Sequence, residues 1–325
     1  MHRLHRRQML AAMAIGATAL AIPGRLLAKE PADMRHFLSE HGLPLGVQLY
    51  TVDAMAREDI RGTLRKLSAI GFRSLELAGL HGHTPHDLRA AADEAGLAIT
   101  SIHLGDALIG RTEADTQKLV EDLGVLGVRD VVLPMFIFPR DVTRGEDEPF
   151  GEYLYRAVHS QGADVWERTA DLLNERGASL AEHGVKLAYH NHNVEFGPVD
   201  DTGRTGWDIL MERTDPELVG LEVDLGWVAA AGIDPVDFVT GYAGRVRQAH
   251  VKDIYATTKP NFAFRQDPAE VGAGSLDWGR LLPAAYAAGV RQFYVEQEPP
   301  FTADRFTSLA KSAAYLGAAP AMQPS

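Results

Sequence analysis

From residue 45 onward, short apolar or β-branched runs alternate with stretches whose apolar residues fall at helical spacing. The runs are Leu45–Leu49, Ser74–Leu77, Ala98–His103, Asp130–Leu133, Lys186–His190, Gly220–Asp224, Arg247–Val251 and Gln292–Glu296, which predicts eight strands. Ile60, Leu64, Leu67 and Ile70 predict a helix over 60–70. Thr84 is placed to cap another helix, with Pro85 at its first position. Gly71, Gly96, Gly127, Gly184 and Gly289 stand just before strands, where a left-handed helix end commonly falls. No GxGxxG follows the first strand. Eight such βα units predict a single-domain α/β fold, a closed (β/α)8 TIM barrel, rather than an open doubly wound sheet.

Two stretches break the spacing, Pro134–Gly162 and Tyr255–Asp277. Both follow strands, which puts them on the C-terminal face of the barrel, where long loops act as lids or binding loops. Active sites of such barrels lie on that face. The strand ends there carry Gln48 and Tyr50, Glu76, His103, the run Tyr189-His190-Asn191-His192 with Glu195, Glu222-Val223-Asp224, His250-Val251-Lys252-Asp253, and Val295-Glu296-Gln297-Glu298. Alternation places His190 with His192, His250 with Lys252, and Glu296 with Glu298 on shared faces. His190, Asp224, His250 and Glu296 thus aim two imidazoles and two carboxylates at one point from four successive strands. Hard or borderline divalent ions such as Mn²⁺, Co²⁺, Mg²⁺ or Zn²⁺ accept that set. Asp224 is also placed to cap the next helix, and Asp253 and Glu298 read as rim charges or supporting partners.

Composition narrows the chemistry. The 325 residues include no cysteine, which removes disulfides, thiolate nucleophiles, Fe–S clusters and Cys-ligated zinc. The formal net charge of -12 opposes a nucleic-acid partner, which needs a basic face. The first residues add a location. His5-Arg6-Arg7-Gln8-Met9-Leu10 and the apolar stretch to Ile22 have the pattern of a twin-arginine export signal, with cleavage expected after Ala28. The stretch is short of the ~20 residues that span a bilayer. Removing residues 1–28 takes away Arg3, Arg6, Arg7 and Arg25 and moves the charge to -16. The expected location is periplasmic or otherwise exported, with no membrane contact after cleavage.

In this order and spacing the motifs resemble the sugar phosphate isomerase/epimerase superfamily, the xylose-isomerase-like TIM barrels. The segments are Leu45–Tyr50, Gly71–Leu77, Tyr189–His192 through Phe196, Asp224–Trp227, His250–Asp253, Gly272–Trp278 and Val295–Gln297. The resemblance spans roughly residues 43–316. It implies a divalent metal held by Glu, Asp, His and Glu at the ends of strands five to eight. Asp224, His250 and Glu296 match the last three. His190 stands where many epimerases carry the first glutamate, and Glu195 is an alternative ligand or base. A metal-bound imidazole is no carboxylate base, so the departure suits one-sided isomerisation or elimination better than two-base epimerisation.

The resemblance therefore implies an enzyme that abstracts a proton next to a carbonyl of a carbohydrate, either an isomerase/epimerase or a lyase on a keto-sugar or glycoside. Glu296 or Glu195 is the expected base. His192, His103 or Lys252 would move the proton. Gln48, Glu76, His103, Trp227 and Phe262 are the expected substrate contacts, and Phe136, Phe138, Phe262 and Phe264 the apolar residues of the lids. The partner is a small carbohydrate, and a homo-oligomer stays open. Two other readings are a non-catalytic exported sugar-binding barrel and an endonuclease IV-like phosphodiesterase. The latter needs more ligands and a basic groove.

Overall fold

The computed structural model describes residues 36–318. The candidate export signal, residues 1–28, lies outside them. Eight parallel strands close on themselves: β1 (Leu45–Gln48), β2 (Ser74–Ala78), β3 (Ala98–His103), β4 (Asp130–Leu133), β5 (Lys186–His190), β6 (Val219–Asp224), β7 (Val246–Val251) and β8 (Gln292–Val295). Each pairs with its sequence neighbours, and β8 pairs back onto β1, Tyr294 opposite Gly46. The expected (β/α)8 barrel is the observed one, with every strand end within one residue of its sequence reading. The chain after Gln48 leaves β1 early because the Gln48 side chain accepts the Tyr50 N–H and starts a helical turn.

Helices cover the outside. The helix Ile60–Ile70 forms as its apolar spacing predicts, and Thr84 caps the helix Pro85–Ala95 by accepting the Asp87 N–H. Gly96 ends that helix at φ +67°, a conformation costly for a residue with a Cβ. The apolar core lies between strands and helices, with Val47, Leu75, Val131, Leu187, Leu221, Val251 and Phe293 fully buried. No helix among the described residues is long and apolar enough to cross a membrane.

The barrel interior is different: it is polar. Gln248 Nε2 lies within 2.8–3.3 Å of Ser101 Oγ, Glu222 Oε1 and Glu76 Oε2. Such barrels are usually filled by branched apolar side chains. Buried polar groups must find partners, and here they find one another across four strands. Below them the Tyr294 hydroxyl meets Thr100 and Gln292. Gly46 leaves room for that ring, since a Cβ there would overlap it.

The two long segments are more ordered than loops. The second half of Pro134–Gly162 is a helix, Phe150–Gln161. In the other, Pro268–Ala269 pairs antiparallel with Asp253–Ile254, the two residues just before the segment. The segments touch: the Phe150 and Phe264 rings meet edge to face at 5.5 Å, and Arg265 reaches Glu152 at 3.7 Å.

Asp253 is not a rim charge. It is 1% exposed and accepts from the N–H groups of Ile254, Gly272, Gly274 and Leu276 and from Trp278 Nε1, all at 2.9–3.3 Å. A Cβ at Gly274 would overlap its carboxylate, which explains that glycine. Asp253→Ala leaves buried donors unpaired, at a cost of about 3 kcal/mol or more. A thermal melt followed by circular dichroism should show a fall of several degrees; an unchanged midpoint would refute the role.

Candidate functional site

β6, β7 and β8 deliver Asp224, His250 and Glu296 to one place. Asp224 does cap the following helix, its Oδ1 accepting the Trp227 N–H at 2.8 Å. Its Oδ2 accepts no well-directed hydrogen bond and points inward. From Oδ2, His250 Nδ1 is 3.7 Å away and His190 Nε2 is 3.9 Å away, while His250 Nδ1 lies 3.0 Å from Glu296 Oε2. Four ligands arranged tetrahedrally at metal bonds near 2.1 Å stand about 3.4 Å apart. Asp224, His250 and Glu296 therefore fit three positions around a small divalent ion in spacing and donor chemistry, while His190, expected as the fourth ligand, approaches Asp224 but groups with the layer below.

A lower layer orients the two imidazoles. His190 Nδ1 is 3.0 Å from Glu222 Oε2, and His250 Nε2 is 2.7 Å from Glu76 Oε1. A proton on His190 Nδ1 leaves its Nε2 lone pair facing Asp224, whereas His250 also hydrogen-bonds Glu296 through Nδ1 and would give up that proton to a metal ion. Carboxylates that fix a ligand histidine this way are a common support of metal sites. Gln48 donates to Glu76 at 2.9 Å and so belongs to this layer, as does Glu76 itself; both are fully buried. His103 Nε2 lies 2.6 Å from Glu222 Oε2 and 3.2 Å from Glu76 Oε1, and its ring stacks on His250 at 5.3 Å. His103, His190, Glu222 and His250 form a second close group. Its 2.6 Å contact is shorter than two ligands of one ion stand, so hydrogen bonding accounts for it.

Charge in this layer is shared. Burial and the neighbouring Glu76 push Glu222 up to about 7. Burial would raise Glu76 too, but His103 and His250 outweigh it and hold Glu76 well below the usual range. Burial opposes a proton on His103, yet Glu76 and Glu222 lift it to about 10. Burial likewise opposes charge on His250, and Glu222 and Glu296 outweigh it. The field that favours a proton there favours a metal cation as well. His192 lies 4.9 Å from the His190 ring. Burial and then Lys252 drop it to about 3, so it is neutral, and its Nδ1 has no partner among the described residues. Lys252 is fully buried and ion-paired with Asp224, Glu296 and Glu298.

The remaining candidates separate by direction. Glu195 does not bend over the ligand ring. Its oxygens accept from the Tyr189 hydroxyl at 2.8 Å and the His192 N–H at 3.0 Å. Tyr189 alternates with the inward His190 and so lies on the outer face of β5. Burial raises Glu195 to about 7. Among the described residues it belongs to neither close group of metal-capable side chains. Phe262 is 37% exposed and rests against Gly197. Phe264 is the lid ring that reaches the site. It lies 4.7 Å from the Trp227 ring and 4.8 Å from His192. Its φ of +55° is unusual for a residue with a Cβ, and Asn193 holds it there by accepting the Phe264 N–H while donating to Asn261. Phe136 and Phe138 pack against each other at 5.1 Å, and Phe136 also against Trp166. Glu222, Gln248 and Asn193 carried no role in the sequence reading. Glu222 sits two residues before Asp224 on one strand, and that spacing is the signal for it.

Trp166, Trp207, Trp227 and Trp278 are all at most 4% exposed. Phe264→Ala uncovers Trp227 alone. A fraction of tryptophan emission quenchable by acrylamide should appear that the parent protein lacks, and its absence would refute the cover.

The chain matches the family model for the xylose isomerase-like TIM barrel over residues 64–316. It is 29% identical over 201 residues to an inosose dehydratase of Geobacillus kaustophilus, covering 59% of this chain. The first three inosose dehydratases are matched over only 61–62% of their own length. The rhizopine catabolism protein MocC of Rhizobium meliloti is 27% identical over 253 residues, 73% of this chain and 74% of that one. Among solved structures, a sugar phosphate isomerase/epimerase of Parabacteroides distasonis superposes with a TM-score of 0.64 at 25% identity, covering 86% of this chain and 95% of that one. A 3-keto-D-glucoside 4-epimerase of E. coli shares the fold, with a TM-score of 0.56 at 18% identity over 84% of this chain and 98% of that one. By the extent of the family match, this chain belongs to the xylose isomerase-like TIM barrels.

Proposed function

We propose that this chain is a metal-dependent lyase of the dehydratase type, acting on a keto-cyclitol or keto-sugar. The reaction removes the proton from the carbon beside the carbonyl and expels the β-oxygen. The observation that carries the reading is one-sidedness. Among the residues around Asp224 Oδ2, Glu296 has one oxygen, Oε1, without a hydrogen bond to any described residue. The place of a second base is taken by His190, bonded to Glu222, and both oxygens of Glu195 are engaged. Epimerisation needs a base on each face of the carbon, and elimination needs only one. The inosose dehydratase relatives and MocC support a keto-cyclitol or a related polyol as substrate.

His190, Asp224, His250 and Glu296 would hold the ion, of which Mn²⁺, Co²⁺, Mg²⁺ and Zn²⁺ are the candidates. When bound, such an ion supplies Lewis acidity that polarises the carbonyl and stabilises enolate charge. Glu296 Oε1 accepts the α-proton. The C–H electron pair becomes the new C=C bond as the β C–O bond breaks. His103 is the acid, because the carboxylates beneath it keep its proton and its Nδ1 is the ring nitrogen left free. The leaving oxygen takes that proton and departs as water, or as an alcohol from a glycoside. Lys252 and the unpaired Nδ1 of His192 are placed to bind substrate oxygens. Trp227 and Phe264 form an apolar wall for the ring. We place the working enzyme outside the cytoplasm, exported by residues 1–28; fractionation of cells expressing Arg6→Lys/Arg7→Lys should find it retained.

Incubating inosose and 3-keto-glucosides with Mn²⁺ in D₂O tests the reaction. The expected product is an unsaturated ketone, seen by its ultraviolet absorbance and the loss of one water or alcohol. His103→Ala should lose elimination by roughly 10²–10⁴-fold while still exchanging the α-proton for deuterium. Glu296→Gln should lose both, and Glu195→Gln should keep most of each. Recovery of deuterated, inverted substrate from the parent enzyme would make it an epimerase instead.

A further inference from the structure

Lys252 follows directly on β7, and its whole side chain is buried. Its Nζ lies 3.0 Å from Asp224 Oδ2, 2.8 Å from Glu296 Oε2 and 2.9 Å from Glu298 Oε1. The first two are the oxygens that face the metal position. The third belongs to no close group of metal-capable side chains among the described residues. The stem is clamped: a Cβ at Gly226 would sit 2.8 Å from Lys252 Cγ, and the ammonium rides 5.0 Å from the Trp227 ring centre. Glu298 is held as well, its Oε2 accepting from Gln266 of the Tyr255–Asp277 segment at 3.0 Å.

The charge count explains the arrangement. Asp224, Glu296 and Glu298 carry three negative charges, and Lys252 returns one. The remaining two match one divalent ion once His250 has released to solvent the proton it shares with Glu296. Without Lys252 or a metal, Asp224 and Glu296 would have only the His250 ring between them to compensate two buried charges, which is unfavourable. With ammonium and metal on the same two oxygens, the cations repel. A clamped stem permits a small swing of Nζ, and Glu298 is already within reach as its second position.

We propose that Lys252 is a counter-ion built into the metal site. Its ammonium holds Asp224 and Glu296 in position in the metal-free protein, competes with the metal for them, and retires onto Glu298 when the metal enters. The inference rests on the metal-site reading above and adds the device that sets its affinity. It also assigns Glu298 as a positioning residue that acts through Lys252.

Calorimetric titration of the purified full chain with MnCl₂ tests it. Lys252→Met should bind Mn²⁺ about tenfold more tightly or better, and Glu298→Gln about tenfold more weakly, effects of the size of one close buried charge pair. In the double variant the Glu298→Gln effect should vanish, because Glu298 acts through Lys252. The metal-free Lys252→Met protein should melt lower than the parent and gain more on adding Mn²⁺. Unchanged or weaker Mn²⁺ binding by Lys252→Met overturns the proposal, as does a Glu298→Gln effect that persists in the double variant. Should Lys252→Met fail to fold, unchanged or tighter binding by Glu298→Gln overturns it. Binding by the parent with these patterns absent leaves the metal reading standing and removes only Lys252. A parent that binds no Mn²⁺, like Asp224→Asn, removes both.

Discussion

A carboxylate taken out of water must be compensated, and the mouth of this barrel is organised by that requirement. Glu76, Glu222, Asp224 and Glu296 are at most 6% exposed. None is stable there alone. The lower pair is answered by three imidazoles and Gln248, the upper pair by Lys252 and His250. Each answer also fixes an orientation. Glu222 turns His190 so that its other nitrogen faces Asp224, and Glu76 turns His250 so that its other nitrogen meets Glu296 beside Asp224. Charge compensation and ligand positioning are the same set of contacts.

The barrel was open to reading because closure needs little beyond period and punctuation. Eight apolar runs, glycines before strands and caps such as Thr84 are local signals, and each acts where it stands in the chain. The placement of Asp224, His250 and Glu296 is readable for a related reason: strand alternation decides direction once the strand is known. Asp224 and His250 needed only that rule. The same rule applied two residues earlier would have found Glu222. It went unassigned because a glutamate inside a strand has no role until its partners on β3 and β5 are known, and those contacts span 119 and 32 residues of sequence.

What lay beyond the strands was harder. Phe262 and Phe264 are two residues apart in one loop, and composition cannot say which ring turns inward. That choice is made by Asn193 and by a backbone turn with φ of +55°, both tertiary facts. Glu195 looked free to fold over the site because it stands past the strand end. A hydroxyl on the opposite face of β5 and a backbone N–H capture it instead. The helix Phe150–Gln161 was hidden behind a charged, proline-bearing approach that read as loop.

Asp253 gives the long lid segment an unexpected independence. Four of its five hydrogen bonds join the end of β7 to residues 272–278, and Ser275 N–H adds a bond to the Ile254 carbonyl. The two sequence motifs Lys252-Asp253 and Gly272–Trp278 are thus halves of one knot, tied at the base of the segment between them. A loop closed at its root passes little of its own motion or length to the strand that bears it. The residues between, apart from Gln266 on Glu298 and Pro268–Ala269 on Asp253–Ile254, can be lengthened, shortened or recomposed while Lys252 stays where β7 puts it. In a fold whose chemistry is varied through its loops, such a knot makes the segment an exchangeable part, so that a change at the mouth of the barrel need not disturb the side chains on its strand ends.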